Sequence, residues 1–137
     1  MAGTMDITAA CINSTLRGGT PLRVLQSVAS GWLGADAFQL GLKSAALGLV
    51  SHFFIATTAT AVYYAASRKL PVLVRQALLC GPLYGIAVWL FMNFVVLPLS
   101  AVPFKNTFRL STVVTGLLIH IFCVGLPIAL MVRRYSK

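Results

Sequence analysis

Residues 44–66, which read SAALGLVSHFFIATTATAVYYAA, decide the fold of this chain. The stretch contains 23 residues without a single Asp, Glu, Lys or Arg, and its one imidazole belongs to His52. A helix rises about 1.5 Å per residue, so about 20 apolar residues cross the roughly 30 Å hydrocarbon core of a bilayer. The stretch therefore predicts a transmembrane helix.

Two later stretches have the same character. Residues 77–99 contain neither a charged residue nor a histidine, and residues 112–132 contain His120 as their only such residue. The loop at residues 67–76 is short, which favours an antiparallel arrangement of the helices it joins. These three stretches are predicted to be spans of one membrane domain that covers residues 1–137.

The composition excludes most soluble classes. Hydrophobic residues make up 58% of the chain and charged residues 9%, whereas ordinary soluble domains have about 45–50% apolar and about 25% charged residues. A soluble enzyme, a disordered segment and a nucleic-acid-binding domain are therefore poor interpretations. The net charge of +9 comes from basic residues dispersed between apolar runs, a pattern typical of membrane boundaries.

The N-terminal third is predicted to add a short fourth span and a surface helix. Residues 3–16 are apolar apart from a few polar side chains, and residues 18–21 then break the chain. Thr20 and Pro21 are a suitable cap and first residue for a new helix over residues 21–34. We expect this amphipathic helix to lie in the membrane interface with Trp32 near the headgroups. The alternative is a helix that packs on the bundle.

The surface helix has a predicted apolar face and a predicted polar face. The apolar face contains Leu22, Leu25, Val28, Ala29, Trp32 and Leu33, and the polar face contains Arg23, Gln26, Ser27 and Ser30. The predicted fold class is thus all-α, an integral membrane four-helix bundle with a short interfacial amphipathic helix.

Basic residues favour an orientation with both chain ends in the cytoplasm. The predicted cytoplasmic side carries Arg68, Lys69, Arg75, Arg133, Arg134 and Lys137. The opposite side carries Arg17, Arg23, Lys43, Lys105 and Arg109. Tyr63 and Tyr64 lie near a helix end and are interpreted as anchors in the aromatic belt.

Small residues recur every four positions in each span, and membrane helices pack through such stripes. The three stripes are Ser44, Gly48, His52, Ala56 and Thr60; Gly81, Gly85, Trp89 and Asn93; and Thr112, Gly116 and His120. The most polar residue of each span lies on its stripe, so the stripes are predicted to face the bundle interior. Trp89 is interpreted as a packing residue.

The polar residues within the spans form the candidate site. Counted from the nearest basic residue, Asp6, His52 and His120 lie at a similar depth near the bilayer midplane, and Asn93 lies closer to a surface. An ionisable residue inside a span indicates function by default because its burial is unfavourable. The sequence thus predicts an intramembrane polar cluster of these four residues.

Several roles remain open for this cluster. The histidines can simply donate hydrogen bonds between helices. Asp6, His52 and His120 can form a path for protons or small solutes. His52 and His120 can be the two axial ligands of a b-type haem, with Gly48 and Gly116 leaving room for the macrocycle. A zinc site is less favoured because it also needs a polar second shell.

Several segments of the chain together resemble those of one protein family. They are residues 3–7 (GTMDI), 21–31 (PLRVLQSVASG), 47–53 (LGLVSHF), 62–68 (VYYAASR), 92–101 (MNFVVLPLSA), His120, and 125–129 (GLPIA). The chain resembles a family of small, uncharacterised bacterial inner-membrane proteins with about four predicted transmembrane helices. The resemblance implies a bacterial source, a four-helix arrangement and a first span that is clipped here, but no activity.

No enzymatic motif accompanies these features. The chain has no glutamate, no recognisable Ser-His-Asp arrangement and no Gly-rich loop placed after a strand. We expect a structural or accessory membrane subunit of the bacterial inner membrane that is not an enzyme. Its expected partners are the lipid bilayer and other membrane subunits or a second copy, without nucleic acid. The alternatives are a small carrier or proton path and a haem protein.

Overall fold

The computed structural model describes residues 1–103 and 108–136. All regular secondary structure in these ranges is helical, which confirms the all-α class. The helices are α1 (Ala2–Leu16), α2 (Pro21–Leu33), α3 (Leu42–Lys69), α4 (Val72–Arg75), α5 (Ala77–Leu99) and α6 (Leu110–Tyr135), with a 3-10 turn at Gly34–Phe38. Lys105 and Lys137 lie outside the described residues.

Three helices, α3, α5 and α6, are long and apolar enough to cross a membrane. The chain is therefore built as a multi-pass membrane protein. Helix α1 has 15 residues, so its length is about 22 Å, and it packs as a fourth helix against α3 and α6. Arg68 at the end of α3 and Ser136 after α6 line one pocket. The two helices therefore end on the same side of the bundle, as the predicted orientation requires.

Close backbone contact joins α5 to α6. A side chain at Gly85 would collide with the carbonyl of His120, and one at Gly125 would collide with the carbonyl of Gly81. The GxxxG step of α5 therefore brings the two backbones together within the chain. Trp89 follows one turn later, is 8% exposed and packs on Gly116, which confirms its role in packing.

Burial confirms most of the predicted small-residue stripes. Ser44 and Gly48 on α3 are buried, and Gly81, Gly85 and Trp89 on α5 are buried as well. On α6 the prediction is only partly right, because Thr112 is exposed and the packed face continues instead through buried Val124, Ile128 and Val132.

Helix α2 begins as predicted and packs on the bundle through residues of both predicted faces. The Thr20 hydroxyl accepts a hydrogen bond from the Arg23 backbone N–H, and Pro21 follows as the first helical residue. Gln26 is 4% exposed and Ser30 is fully buried; the Gln26 side chain donates to the Gly41 carbonyl at 3.3 Å. Ala29 of the predicted apolar face is fully buried as well, whereas Arg23 of the predicted polar face is exposed, so the packed face combines residues of both.

The mixed composition of the packed face has a physical cause. Lipid tails provide no hydrophobic drive between helices, so interfaces form where small and hydrogen-bonding residues allow close approach. The backbone of Leu25 lies directly against Gly48 of α3, whereas Trp32 is 70% exposed. Its indole N–H nevertheless donates to the Ser51 hydroxyl at 3.1 Å.

The two neighbouring tyrosines have different environments. Tyr63 is 1% exposed, donates a hydrogen bond to the Leu73 carbonyl at 3.0 Å and contacts the ring of Tyr84 at 4.9 Å. Its interpretation as an aromatic-belt anchor is therefore wrong, because the α3–α4 turn covers the ring and satisfies its hydroxyl. Tyr64 is 47% exposed.

Both of the last spans contain a wide π-type turn immediately before a proline. The N–H of Leu97 donates to the carbonyl of Met92, and the N–H of Leu126 donates to that of Ile121. Pro98 and Pro127 follow. A proline has no N–H and its ring collides with the carbonyl four residues earlier; the extra residue in the turn relieves that conflict. In α6 the wide turn begins at His120.

The α5–α6 contact yields a stability prediction. Gly85→Ala should lower the free energy of unfolding by about 1–3 kcal/mol, because an added methyl group meets backbone atoms that cannot rotate away. Gly31→Ala is the matched control, since its new Cβ meets the Ser100 Cβ at an ordinary 3.7 Å. Denaturation with SDS in mixed micelles measures both. Equal stability of the two variants would contradict the packing described.

Candidate functional site

His52 connects α3 to α1. Its Nε2 lies 2.8 Å from the Gly3 carbonyl oxygen. A carbonyl oxygen only accepts hydrogen bonds, so Nε2 carries the proton in this contact. The close approach of the helices depends on Gly3, since a Cβ at that position would lie 2.9 Å from the Ala56 Cβ.

Asp6 lies one turn beyond Gly3 on α1 and faces the same imidazole. Its Oδ2 is 3.8 Å from His52 Nε2, and the exposed fractions of the two side chains are 19% and 12%. The distance is too long for a direct hydrogen bond. The Asp6 carboxyl and the imidazole are therefore neighbours across the α1–α3 contact without a direct hydrogen bond.

His120 is held within its own helix. Its Nδ1 lies 2.9 Å from the Gly116 carbonyl oxygen, so Nδ1 is the donor and Nε2 is the acceptor nitrogen of the neutral ring. No described residue provides a hydrogen-bond partner for that Nε2. The backbone around His120 is fixed by the contact with Gly85 of α5.

One small cavity joins the three ionisable residues. Asp6, His52 and His120 all line it, together with apolar residues that include Val28 of α2 and Met92 of α5. Its volume is about 90 Å³, which leaves room for water molecules that bridge the polar groups. The structure thus brings together three of the four residues that the sequence places in the polar cluster.

Asn93 is the fourth residue, and it lies elsewhere. It is not among the described residues that line the cavity. Its side-chain amide donates to the Trp89 carbonyl at 2.8 Å, inside the helix and near the wide turn of α5. Asn93 thus lies apart from the cavity, and its place in the predicted cluster stays a prediction.

The geometry does not accommodate a haem between His52 and His120. The cavity is much smaller than the roughly 300–1,000 Å³ of ordinary ligand pockets. The Trp89 indole covers Gly116, and the α2 backbone covers Gly48. The space beside these two glycines, which was expected to hold the macrocycle, is therefore filled by other parts of the chain. His52 Nε2 also donates to Gly3 and has no lone pair for iron.

The described residues form no metal-ion site either. Within residues 1–103 and 108–136, no three His, Cys, Asp or Glu side chains meet in an arrangement for a metal ion. Asp6, His52 and His120 share a cavity wall without converging on one point. The arrangement is chemically suited to hydrogen bonding, water binding and proton exchange.

Two features of the site are absent from the sequence-based prediction. The closest partner of His52 is a backbone carbonyl, that of Gly3, which no side-chain pattern identifies. Val28 on α2 closes one wall, although the short helix was expected at the interface. The sequence does contain one indicator of the close contact between α1 and α3, namely Gly3, because glycine on a membrane helix favours close helix packing.

Comparison with other proteins gives no independent assignment. No protein-family model, no curated protein and no solved structure matches this chain. The architecture and the site therefore stand on the contacts described above.

Proposed function

We propose that the chain is a structural or accessory membrane subunit that performs no catalysis, and that its intramembrane polar residues hold its helices together. The observation that carries this proposal is the contact of His52 with two groups of α1, the Gly3 carbonyl at 2.8 Å and the Asp6 carboxylate at 3.8 Å. Helix α1 has 15 residues and a length of about 22 Å, which is shorter than the roughly 30 Å hydrocarbon core. Its apolar length alone therefore does not hold it in the membrane.

The hydrogen-bonding pattern supports this role. His52 and His120 each use one ring nitrogen on a carbonyl of the same chain. Only the His52 bond is interhelical; such bonds are worth about 0.6–2 kcal/mol in membranes, enough to fix the position of a short helix. The cavity beside them is small and mostly apolar, which does not favour a bound substrate.

The bacterial inner membrane is the proposed location. The support is the resemblance of several segments, including residues 47–53 and 92–101, to small proteins of that membrane, together with the three candidate spans. The proposed partners are the surrounding lipid and other membrane subunits or a second copy of the chain.

Replacement of His52 tests the structural role. His52→Leu should lower the free energy of unfolding by about 0.6–2 kcal/mol, because the Gly3 carbonyl loses its donor and Asp6 loses its neighbour. His120→Leu is the matched control, since its hydrogen bond stays inside α6. SDS denaturation in mixed micelles provides the measurement. If the control variant loses as much stability as His52→Leu, the interhelical role is refuted.

A proton-exchange site is a second candidate function. The specific observation in its favour is that Asp6, His52 and His120 share a single enclosed cavity. A proton on His52 would face the Asp6 carboxylate across 3.8 Å, so charge is compensated, and His120 Nε2 offers a second acceptor. Water in the cavity would connect the groups.

Liposome measurements separate the two candidates. If the cavity conducts protons, wild-type protein should collapse a pH gradient faster than empty liposomes, and His52→Gln should abolish the effect, because an amide hydrogen-bonds but does not titrate near neutral pH. An internal pH-sensitive dye follows the gradient with valinomycin present. Gradient decay in wild-type proteoliposomes equal to that in empty ones would exclude the proton path.

A further inference from the structure

A second concave site lies at the end of the bundle where α3 and α6 terminate. Its volume is about 240 Å³, and its described lining is Ser67, Arg68, Pro71, Val74, Arg75 and Ser136. The site is built from three separate parts of the chain: the last turn of α3, the short α4 segment and the residue after α6. It is remote from the cavity that contains His52.

A buried hydroxyl without a partner marks this site. Among the described residues, Ser136 Oγ is the one buried side-chain oxygen or nitrogen that makes no hydrogen bond. Burial of a polar group without a hydrogen bond is unfavourable by about 1–3 kcal/mol. Native proteins tolerate few such groups, and each calls for an explanation such as a ligand or water that the group binds.

The charges around the site are unbalanced. Within the part of the chain that the structure describes, neither the Arg68 nor the Arg75 side chain has a hydrogen-bond or ion-pair partner. The chain contains only two acidic residues. Asp6 lines the intramembrane cavity and Asp36 lies in the turn after α2, so neither faces this pocket.

Orientation signals alone explain only part of this arrangement. Basic residues at the C-terminal ends of α3 and α6 favour one side of the membrane and interact well with the helix dipoles. Those effects require positive charge, which Arg133 and Arg134 also supply. They do not require that Arg68 and Arg75 line one pocket together with Ser136, whose buried hydroxyl has no hydrogen-bond partner.

We propose that this pocket binds the phosphate group of an anionic membrane lipid. Arg68 and Arg75 supply charge and planar donors that match phosphate oxygens, and the Ser136 hydroxyl donates a further hydrogen bond. The site lies at the end of candidate spans, at the level where lipid headgroups meet basic residues between helices. The same chemistry is shared by free phosphate, so the test separates the two sources.

Thermal unfolding in a neutral detergent is the assay. Short-chain phosphatidylglycerol should raise the midpoint of unfolding in a concentration-dependent way, because a ligand that binds only the folded state stabilises it. Short-chain phosphatidylcholine, whose headgroup is zwitterionic, should raise it much less. Inorganic phosphate at the same concentration tests the soluble source of the same group.

Two pocket variants and a matched control assign the effect to the site. The double variant Arg68→Gln/Arg75→Gln should abolish the phosphatidylglycerol shift. Ser136→Ala should weaken lipid affinity by about tenfold or more, the usual consequence of losing one hydrogen bond to a charged group. Arg133→Gln/Arg134→Gln removes the same charge at the same end but outside the pocket, and should retain most of the shift.

The outcomes are decisive in both directions. A shift by phosphatidylglycerol that depends on Arg68, Arg75 and Ser136 supports a lipid site, and it supports a lipid source specifically if inorganic phosphate has no effect. An equal shift by inorganic phosphate refutes the lipid source. A loss of the shift that is equal in the Arg133/Arg134 control shows that surface charge alone is responsible and overturns the proposal.

Discussion

The contact between the backbones of α5 and α6 is the constraint on which the remaining structure depends. Gly81 and Gly85 leave no side chain between the helices, so the carbonyls of one helix approach the glycines of the other. Apolar side chains can face lipid as favourably as they face each other, and close packing must therefore bring membrane helices together. The contact fixes the backbone at His120, packs Trp89 on Gly116 and so forms one wall of the cavity.

The polar site is the second consequence of this packing. Helix α1 has only 15 residues. Its position is set by the Gly3 approach to α3, by the hydrogen bond from His52, and by packing on α6, where Arg17 donates to the Thr115 hydroxyl at 3.3 Å. The wide turn that begins at His120 relieves the conflict with Pro127, a position where irregular helix geometry often accompanies function. The His52 imidazole therefore contributes to stability and would also take part in any proton exchange.

Much of this architecture follows from the sequence, and its limits have physical causes. Long apolar runs identify α3, α5 and α6, and the stripe containing Gly48 and His52 identifies the packed face of α3. The residues that bury α2 do not follow its apolar periodicity, because that periodicity identifies a core only where water provides the drive, and Gln26 and Ser30 are buried beside Ala29. Asn93, predicted to lie closer to a surface, does not line the cavity, but depth along a helix does not identify the Gly3 carbonyl as the partner of His52.

A double-mutant cycle between Asp6 and His52 tests the central claim most directly, namely that α1 is held inside the bundle by polar contact with α3. Asp6→Asn, His52→Gln and the double variant are compared with wild type by the free energy of unfolding in mixed micelles. We expect a coupling free energy of about 0.5 kcal/mol or more, as contacting residues show. Additive effects of the two substitutions would contradict it, because they would place Asp6 away from His52.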